Sequence, residues 1–321
     1  EDEIRELADL MQIPVITTMM GISVFPDDDQ LFCGMIGTHG VKMANAAVNE
    51  CDVLFLVGAR VGDRAVKTPL ALEKTTKIIH IDIDPAEIGK NIGADLPLVG
   101  DAKLVLQQMT ELAKPMKHDE WIAHIKTLGG ERKYVEPAKG TVNPRVFIDR
   151  LAKKMPANVT VVADVGQNQI WTCTEYKFRK EGRLLTSGGM GTMGYSVPAA
   201  IGAKMADDSR ATVAICGDGA FQMSFMELAT AVQFGVDIKV VVMTNNRLGM
   251  VRELQTNGYH DRQTAVFLDG SPDFIKLAEA YGIPAMRVYD DDTMEKGIEM
   301  LAEHKGICLV EVVVDKDMPT L

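Results

Sequence analysis

The chain has 321 residues, of which 46% are apolar and 25% charged, the composition of an ordinary globular protein, and its length suits two domains better than one. The net charge of −11 argues against partners such as nucleic acid or anionic membranes, which require a basic face. Five scattered cysteines without a CxxC pair, and the lack of an 18-residue apolar run, favour a cytoplasmic protein with reduced thiols and no membrane span.

Short β-branched runs alternate with helical patterns, which predicts parallel sheets covered by helices. We expect a first domain over residues 1–128 and a Gly- and Pro-bearing linker over 129–144. The elements predicted in the first domain are helix Ile4–Met11, strand Ile13–Thr18, helix Val41–Glu50, strand Val53–Val57, strand Lys77–Asp82, helix Ala102–Leu112 and an amphipathic segment around Trp121.

A second domain is expected over residues 145–321. Its predicted elements are helix Arg145–Lys154, strands Val159–Val165 and Arg183–Thr186, helix Gly194–Met205, strand Ala211–Cys216, helix Phe225–Phe234, strand Lys239–Thr244, helices Pro272–Tyr281 and Thr293–Glu303, and strand Cys308–Val314. Strands this apolar on both faces belong inside a doubly wound sheet. The predicted fold class is therefore α/β, with two doubly wound, mostly parallel sheets, and ligands are expected beyond the carboxyl ends of the strands.

Two of the predicted strands end in polar residues that suit a metal. Gly217-Asp218-Gly219 follows one strand, and Asn245-Asn246 follows the next. An isolated Asp-Gly is usually only a turn, but an acid and an amide at one sheet edge offer the oxygen ligands that Mg²⁺ takes together with a phosphate. The glycines allow close backbone approach to such a phosphate, and the helix expected near Phe225 would add its positive end.

An alternative hypothesis comes from the segment 189–194, which reads Gly-Met-Gly-Thr-Met-Gly and matches GxGxxG between a short strand and a helix. This pattern is typical of dinucleotide-binding dehydrogenases. A single GxGxxG is weakly specific, and the next strand ends in Gly-Asp-Gly rather than in a lone ribose-binding acid.

The string Gly217-Asp218-Gly219-Ala220-Phe221, continued by Thr244-Asn245-Asn246, is similar to the diphosphate-binding signature of thiamine-diphosphate enzymes. The stretch Thr186–Tyr195 resembles the segment of the acetolactate synthase family that meets the aminopyrimidine of the cofactor. The resemblance implies that Asp218, the Asn245 side chain and the backbone carbonyl of Arg247 hold Mg²⁺, and that the metal clamps the diphosphate.

The same resemblance assigns further residues to thiamine diphosphate. The carbonyl of Gly191 would accept from the 4′-amino group, and Met193 would support the bent cofactor, although core packing is the ordinary role of a methionine. The loop around Gln167 would meet the diphosphate, with Asn168 standing where the family has histidine. The other cofactor positions implied are Gly217, Gly219, Ala220, Met223 and Met250.

Substrate contacts are implied at Met250 and Leu254. The family's biosynthetic members read Gln-Trp-Gln where this chain has Glu253-Leu254-Gln255. Leucine offers less apolar surface than tryptophan, so we expect a weaker preference for 2-ketobutyrate over pyruvate as acceptor.

The first domain resembles the family's central domain, which implies bound FAD. Asp82 at a strand end would accept from ribose hydroxyls, and Arg60 would pair with phosphate. Gly62 replaces an acid that is common in the corresponding family pattern. The FAD contacts implied are Gly37, Thr38, His39, Gly58, Ala59, Arg60, Arg64, Asp82, Ile83, Gly100 and Asp101.

The function implied is that of an acetolactate synthase: decarboxylation of pyruvate and carboligation to a second 2-ketoacid in branched-chain amino acid biosynthesis. The resemblance also implies a homodimer or tetramer, with a regulatory small subunit as a further partner. No catalytic acid is assigned here, because the family's glutamate belongs to an N-terminal domain that we expect to be missing, so the chain alone would be inactive. The alternatives are a pyruvate oxidase, a glyoxylate carboligase or a non-catalytic cofactor-binding fragment.

Overall fold

The computed structural model describes residues 1–130 and 134–321. The chain divides into two compact units, Glu1–Arg132 and Lys133–Leu321. The predicted linker 129–144 spans this division. Its residues 131–133 lie outside the described part, and its last residue, Pro144, already belongs to a helix.

The first unit contains parallel strands and helices in the predicted alternation. Strands β3, β4 and β5 form a parallel sheet in that order, and β1 pairs with β2 in parallel. Its elements are α1 (Asp2–Met11), β1 (Val15–Thr17), β2 (Phe32–Met35), α2 (Lys42–Glu50), β3 (Val53–Val57), α3 (Pro69–Leu72), β4 (Lys77–Asp82), β5 (Leu96–Val99), α4 (Ala102–Leu112) and α5 (Asp119–Leu128), with a 3₁₀ turn at Met19–Gly21.

Two strands of this unit were not predicted. β5 contains Pro97, and β2 contains Gly34, which weakens the strand signal of both segments. β5 lies at the edge of its sheet, where a proline is tolerated because one side of the strand needs no ladder hydrogen bonds.

The second unit is built on one six-stranded parallel sheet, ordered β10-β11-β9-β8-β6-β7. Its elements are α6 (Pro144–Lys154), β6 (Thr160–Ala163), α7 (Gln167–Glu175), β7 (Arg183–Thr186), α8 (Ser196–Ala206), β8 (Thr212–Gly217), α9 (Asp218–Phe221), a 3₁₀ turn (Phe225–Glu227), α10 (Leu228–Phe234), β9 (Lys239–Thr244), α11 (Gly249–Gly258), α12 (Phe274–Ala280), β10 (Ala285–Val288), α13 (Asp291–Glu303) and β11 (Cys308–Val313).

Both faces of this sheet are covered, as predicted. Ala214 and Val240 lie on one face, in a core with residues of α8, α10 and α12. Val213 and Val241 point to the opposite face and are equally buried, since successive side chains of a strand alternate. The sheet is therefore doubly wound.

Helix α7 was the main element missed in this unit. All nine of its residues are buried although most are polar, so its sequence, Gln-Asn-Gln-Ile-Trp-Thr-Cys-Thr-Glu, has no apolar stripe to reveal a helix. Glu175 at its end is paired with Arg145, whose Nε and Nη2 donate to one carboxylate oxygen at 2.9 and 2.7 Å. Helix α11 and the edge strand β10 were also not predicted.

No helix in the described part of the chain is long and apolar enough to cross a membrane. All five cysteines are free, and four are buried. Burial raises the pKa of Cys33 to about 11 and that of Cys173 to about 12, so these thiols stay protonated and do not act as nucleophiles at neutral pH.

Candidate functional site

The order of strands in the second unit creates a crevice at one end of its sheet. From β6 the chain continues to β7 on one side, whereas from β8 it continues to β9 on the other. The loops after β6 and β8 therefore diverge, and such a switch point is where doubly wound sheets bind ligands. A cavity of about 100 Å³ lies here, lined by Val165, Gly166, Gln167, Asn168, Trp171, Met193, Gly217, Asp218, Gly219, Ala220, Met243, Asn245, Arg247, Leu248, Gly249, Met250 and Val251.

Asp218, directly after β8, is the acidic centre of this cavity and is 1% exposed. Its Oδ1 accepts from the N–H of Gly219 at 2.8 Å, and its Oδ2 accepts from the N–H groups of Asn245 and Asn246 at 3.1 and 2.6 Å. Burial nevertheless raises the pKa of this carboxyl to about 6, because the three backbone donors only partly offset desolvation. A cation beside Asp218 would supply the missing compensation.

Asn245 presents its side chain at the end of β9, next to Asp218. Its Nδ2 donates to Oε1 of Gln167 at 3.2 Å, and its Oδ1 accepts from the N–H of Arg247 at 3.0 Å. Asn246 follows with a φ of 54°, a conformation that asparagine tolerates better than most residues. The Arg247 guanidinium pairs with Asp269 at 2.9 Å and stacks over Phe267, so the residue's backbone remains the part available at the cavity.

Two helices begin at the cavity and bring their positive ends to it. Gly166 and Gln167 open α7, and Gly249 and Met250 open α11, and all four line the cavity. The helix expected near Phe225 does not supply this charge, because neither the 3₁₀ turn Phe225–Glu227 nor α10, which begins at Leu228, contributes a lining residue. An anion is thus favoured by the N-termini of α7 and α11.

Asp164, at the end of β6, ties the loop before α8 to this edge of the sheet. It is fully buried, and its carboxylate accepts from the N–H groups of Gly194 and Ser196 at 3.0 and 2.8 Å. Gly194 has a φ of 83°, and a Cβ there would lie 2.9 Å from that of Met223. The hydrogen bonds to Asp164 and the close packing of Gly194 against Met223 fix the loop that carries Met193. Met193 itself lines the cavity.

Both amides of the predicted diphosphate loop line the cavity, but their side chains are engaged within the protein. The Nδ2 of Asn168 donates to the carbonyls of Asp164 and Ile215 at 2.8 and 3.2 Å, joining the ends of β6 and β8. The Nε2 of Gln167 donates to the carbonyl of Met318 at 2.9 Å.

Not all predicted cofactor and substrate residues lie in the cavity. Met223 and Leu254 are 57% and 62% exposed, and neither is a lining residue. Gly191 is also exposed and adopts a φ of 70°, which glycine permits without strain. These three positions stay predictions, because they face outward from this unit.

The sequence pattern missed Trp171 and Gly249, both at the cavity. A Cβ at Gly249 would lie 2.0 Å from Oε1 of Gln167 and 3.0 Å from Nδ2 of Asn245, so only glycine fits beneath the two amides. A signal was present for Gly249, since a glycine that opens a helix often marks a close approach, but its partners come from distant segments.

The donor set at the cavity suits a hard cation that also takes ligands from an anion. The residues described by the structure contain no cluster of three or more His, Cys, Asp or Glu side chains that could hold a metal. One carboxylate, one amide oxygen and backbone carbonyls are instead available, which fits Mg²⁺ better than zinc.

In the first unit, the predicted FAD contacts lie at or after the carboxyl ends of the parallel strands. Gly58 comes after β3 with a φ of 60°, Asp82 ends β4, and Asp101 caps α4 by accepting from the N–H of Leu104. The N–H of Thr38 donates to the carbonyl of Arg64 at 2.9 Å. This contact brings together the loops after β2 and β3.

The remaining predicted FAD residues lie in the loops after β2, β3, β4 and β5. A Cβ at Gly37 would lie 2.5 Å from the carbonyl oxygen of Arg64, so the loops approach closely. Ile83 is 71% exposed beside the buried Asp82, and so offers an uncovered apolar side chain for a ring to pack on. His39, Ala59, Arg60 and Gly100 complete this set.

Comparison with known families agrees with the division into two units. Residues 1–109 match the family described as the central domain of thiamine pyrophosphate enzymes, and residues 164–312 match their C-terminal TPP binding domain. The second match begins directly after β6 and includes every residue that lines the cavity.

Curated relatives are similar along almost the entire chain. A probable acetolactate synthase large subunit of Methanocaldococcus jannaschii is 40% identical, an acetolactate synthase of Arthrospira platensis 39%, and the acetolactate synthase large subunit of Lactococcus lactis 36%. Each alignment covers 98% of this chain but only 55–56% of the relative. The chain thus spans about half the length of these relatives, and it belongs to the thiamine pyrophosphate enzyme family, of which it carries the central and the TPP-binding domains.

Proposed function

We propose that this chain forms the central domain (residues 1–128) and the diphosphate-binding domain (residues 145–321) of an acetolactate synthase. The complete enzyme would decarboxylate pyruvate and join the two-carbon product to a second 2-ketoacid. The observation that carries the proposal is the buried Asp218 beside Asn245 at the switch point of a TPP-binding domain. The names of the relatives support acetolactate synthase over other members of the family.

Mg²⁺ would be held by Asp218, the Asn245 side chain and the backbone carbonyl of Arg247. These groups fit it because no cationic side chain within the described residues pairs with the buried carboxylate. In addition, Oδ1 of Asn245 has a second lone pair beside the one that the Arg247 N–H uses. The N-termini of α7 and α11 would neutralise the diphosphate together with the metal.

When bound, thiamine diphosphate supplies the electron sink for decarboxylation, and the protein positions it. Met193 would support the cofactor from within the cavity, with Asp164 fixing the loop that carries it. Gly191, on the exposed part of that loop, would offer its carbonyl to the 4′-amino group. Met250 would face the substrate, and Leu254 and Met223 would close the site from the outer side.

FAD is proposed for the first unit, at the carboxyl ends of β3, β4 and β5. Asp82 fits the ribose hydroxyls because it is held at a strand end, where its Oδ1 already accepts from the N–H of Asp84 at 2.9 Å. The exposed Arg60 and Arg64 suit the phosphates.

Partners are proposed from the names of the relatives, several of which are large subunits. A small regulatory subunit and an oligomer, dimer or tetramer, would accompany the chain in a cytoplasmic enzyme. Met190, Met223 and Leu254 are large apolar side chains exposed on this unit, which is consistent with a surface that further protein covers.

The proposal is tested with the complete protein supplied with Mg²⁺, thiamine diphosphate and pyruvate. Formation of acetolactate that depends on both additions supports it. Formation of acetyl phosphate or of acetate with consumption of oxygen would instead indicate a pyruvate oxidase. Turnover of glyoxylate but not of pyruvate would indicate a glyoxylate carboligase.

A further inference from the structure

The side chain of Gln167 is 4% exposed and is bonded at both ends of its amide. The nitrogen Nε2 donates to the carbonyl of Met318 at 2.9 Å and has Oγ1 of Thr320 and Oε2 of Glu253 at 3.2 Å. The oxygen Oε1 accepts from Nδ2 of Asn245. Gln167 therefore links Met318 and Thr320 to the cavity.

The segment 317–320 is docked against α7 and α11. The indole N–H of Trp171 donates to the carbonyl of Pro319 at 3.2 Å, and the N–H of Thr320 donates to both carboxylate oxygens of Glu253 at 3.2 Å. The Thr320 hydroxyl also bonds Glu253, and Met318 and Thr320 are 3% and 2% exposed. The segment is thus part of the packed unit.

These bonds determine which way two side-chain amides point. A backbone carbonyl only accepts, so Met318 requires the nitrogen of Gln167 on its side and leaves the oxygen toward Asn245. That oxygen in turn requires the nitrogen of Asn245, so Oδ1 of Asn245 must lie on the opposite side, where the donor N–H of Arg247 meets it. Each amide has one orientation that satisfies all its partners.

We propose that the segment 317–320 acts through Gln167 as a positioning element that holds the Asn245 carboxamide with its oxygen toward the metal. This inference rests on the proposed Mg²⁺ site. The side chain of Gln167 then acts as a positioning group, because both ends of its amide are already bonded within the protein, while its backbone stays at the N-terminus of α7 beside the cavity. Gly249 makes the arrangement possible, since any larger residue would collide with Oε1 of Gln167.

The experiment measures Mn²⁺ binding to the complete protein at a fixed concentration of thiamine diphosphate, by electron paramagnetic resonance of the free ion. Thr320→Val removes the hydroxyl but keeps the shape, Thr320→Ser restores the hydroxyl, and Gln167→Leu breaks the link. Lys316→Ala, at the exposed position directly before the segment, is the matched control. Thermal unfolding of each variant verifies that it is folded.

Thr320→Val is expected to weaken Mn²⁺ binding about threefold to tenfold, the effect of one neutral hydrogen bond, with Thr320→Ser and Lys316→Ala close to wild type. Gln167→Leu should weaken it further, and adding Thr320→Val to Gln167→Leu should have little extra effect, since both act along one route.

Wild-type affinity in Thr320→Val, or fully additive losses in the double variant, would overturn the inference while leaving the metal site intact. Thr320→Val alone is decisive if Gln167→Leu does not fold. Asp218→Asn tests the proposed metal site separately. Mn²⁺ binding that survives in this variant would overturn the metal site itself, and the inference with it.

Discussion

Replacing Asp218 by Asn should separate the stability of the second unit from its ability to bind a cofactor. The substitution keeps the shape of the side chain but removes a charge that is 1% exposed. The two carboxylate oxygens accept from the backbone N–H groups of Gly219, Asn245 and Asn246, and the substitution replaces one of these oxygens by an NH₂ group, which donates. One effect relieves the buried charge, whereas the other removes hydrogen bonds.

The two effects are of similar size. Burial raises the pKa of Asp218 from 3.8 to about 6, so at neutral pH the ionised carboxylate costs about 3 kcal/mol of unfolding free energy. Because the pKa is raised, the folded state binds more protons than the unfolded state between pH 4 and 6, approximately. The penalty is therefore absent below this window and complete above it. Losing one or two hydrogen bonds costs about 1–3 kcal/mol, which nearly cancels the relief at pH 7.

Without ligands, the melting temperature of Asp218→Asn should therefore stay within a few degrees of wild type. Mg²⁺ and thiamine diphosphate at 100 times their dissociation constant should stabilise wild type by about 2.7 kcal/mol, or roughly 5–10 °C, and Asp218→Asn hardly at all. The assay is a thermal melt of the complete protein with and without the ligands, with the exposed Asp208→Asn as control. A full ligand-induced shift in Asp218→Asn would refute the assignment of this carboxylate to the metal.

Three further predictions concern the cavity and its surroundings. Gly249→Ala should weaken cofactor binding about tenfold or more, because the new Cβ would overlap Gln167, whereas the control Gly258→Ala, at the other end of α11, places its Cβ in open space. Equal affinities of the two variants by calorimetry would contradict this prediction. Leu254→Trp should raise the preference for 2-ketobutyrate over pyruvate by less than about tenfold in a competition assay, and an unchanged ratio would show that this position does not set acceptor choice. Residues 1–321 expressed alone should form no measurable acetolactate, because the relatives are almost twice as long and the lack of a general acid costs about 10²–10⁴-fold in rate. Robust turnover by residues 1–321 would contradict this prediction.

Local sequence patterns were sufficient to predict the α/β class and the polar residues at the strand ends. Strands β3, β4 and β9 have the predicted bounds, because each is a short, mostly apolar run rich in β-branched residues, which is a clear local pattern. Asp218 and Asn245 were identifiable for the same reason, since each immediately follows such a strand.

The other elements of the site could be identified only from the packed fold. Helix α7 is polar yet wholly buried, so no periodicity reveals it, and its N-terminus supplies positive charge that had been expected near Phe225. The role of Gln167 depends on Met318 and Thr320, about 150 positions away in sequence. Hydrogen bonds between segments this distant depend on how the chain packs, and therefore leave no trace in local composition or spacing.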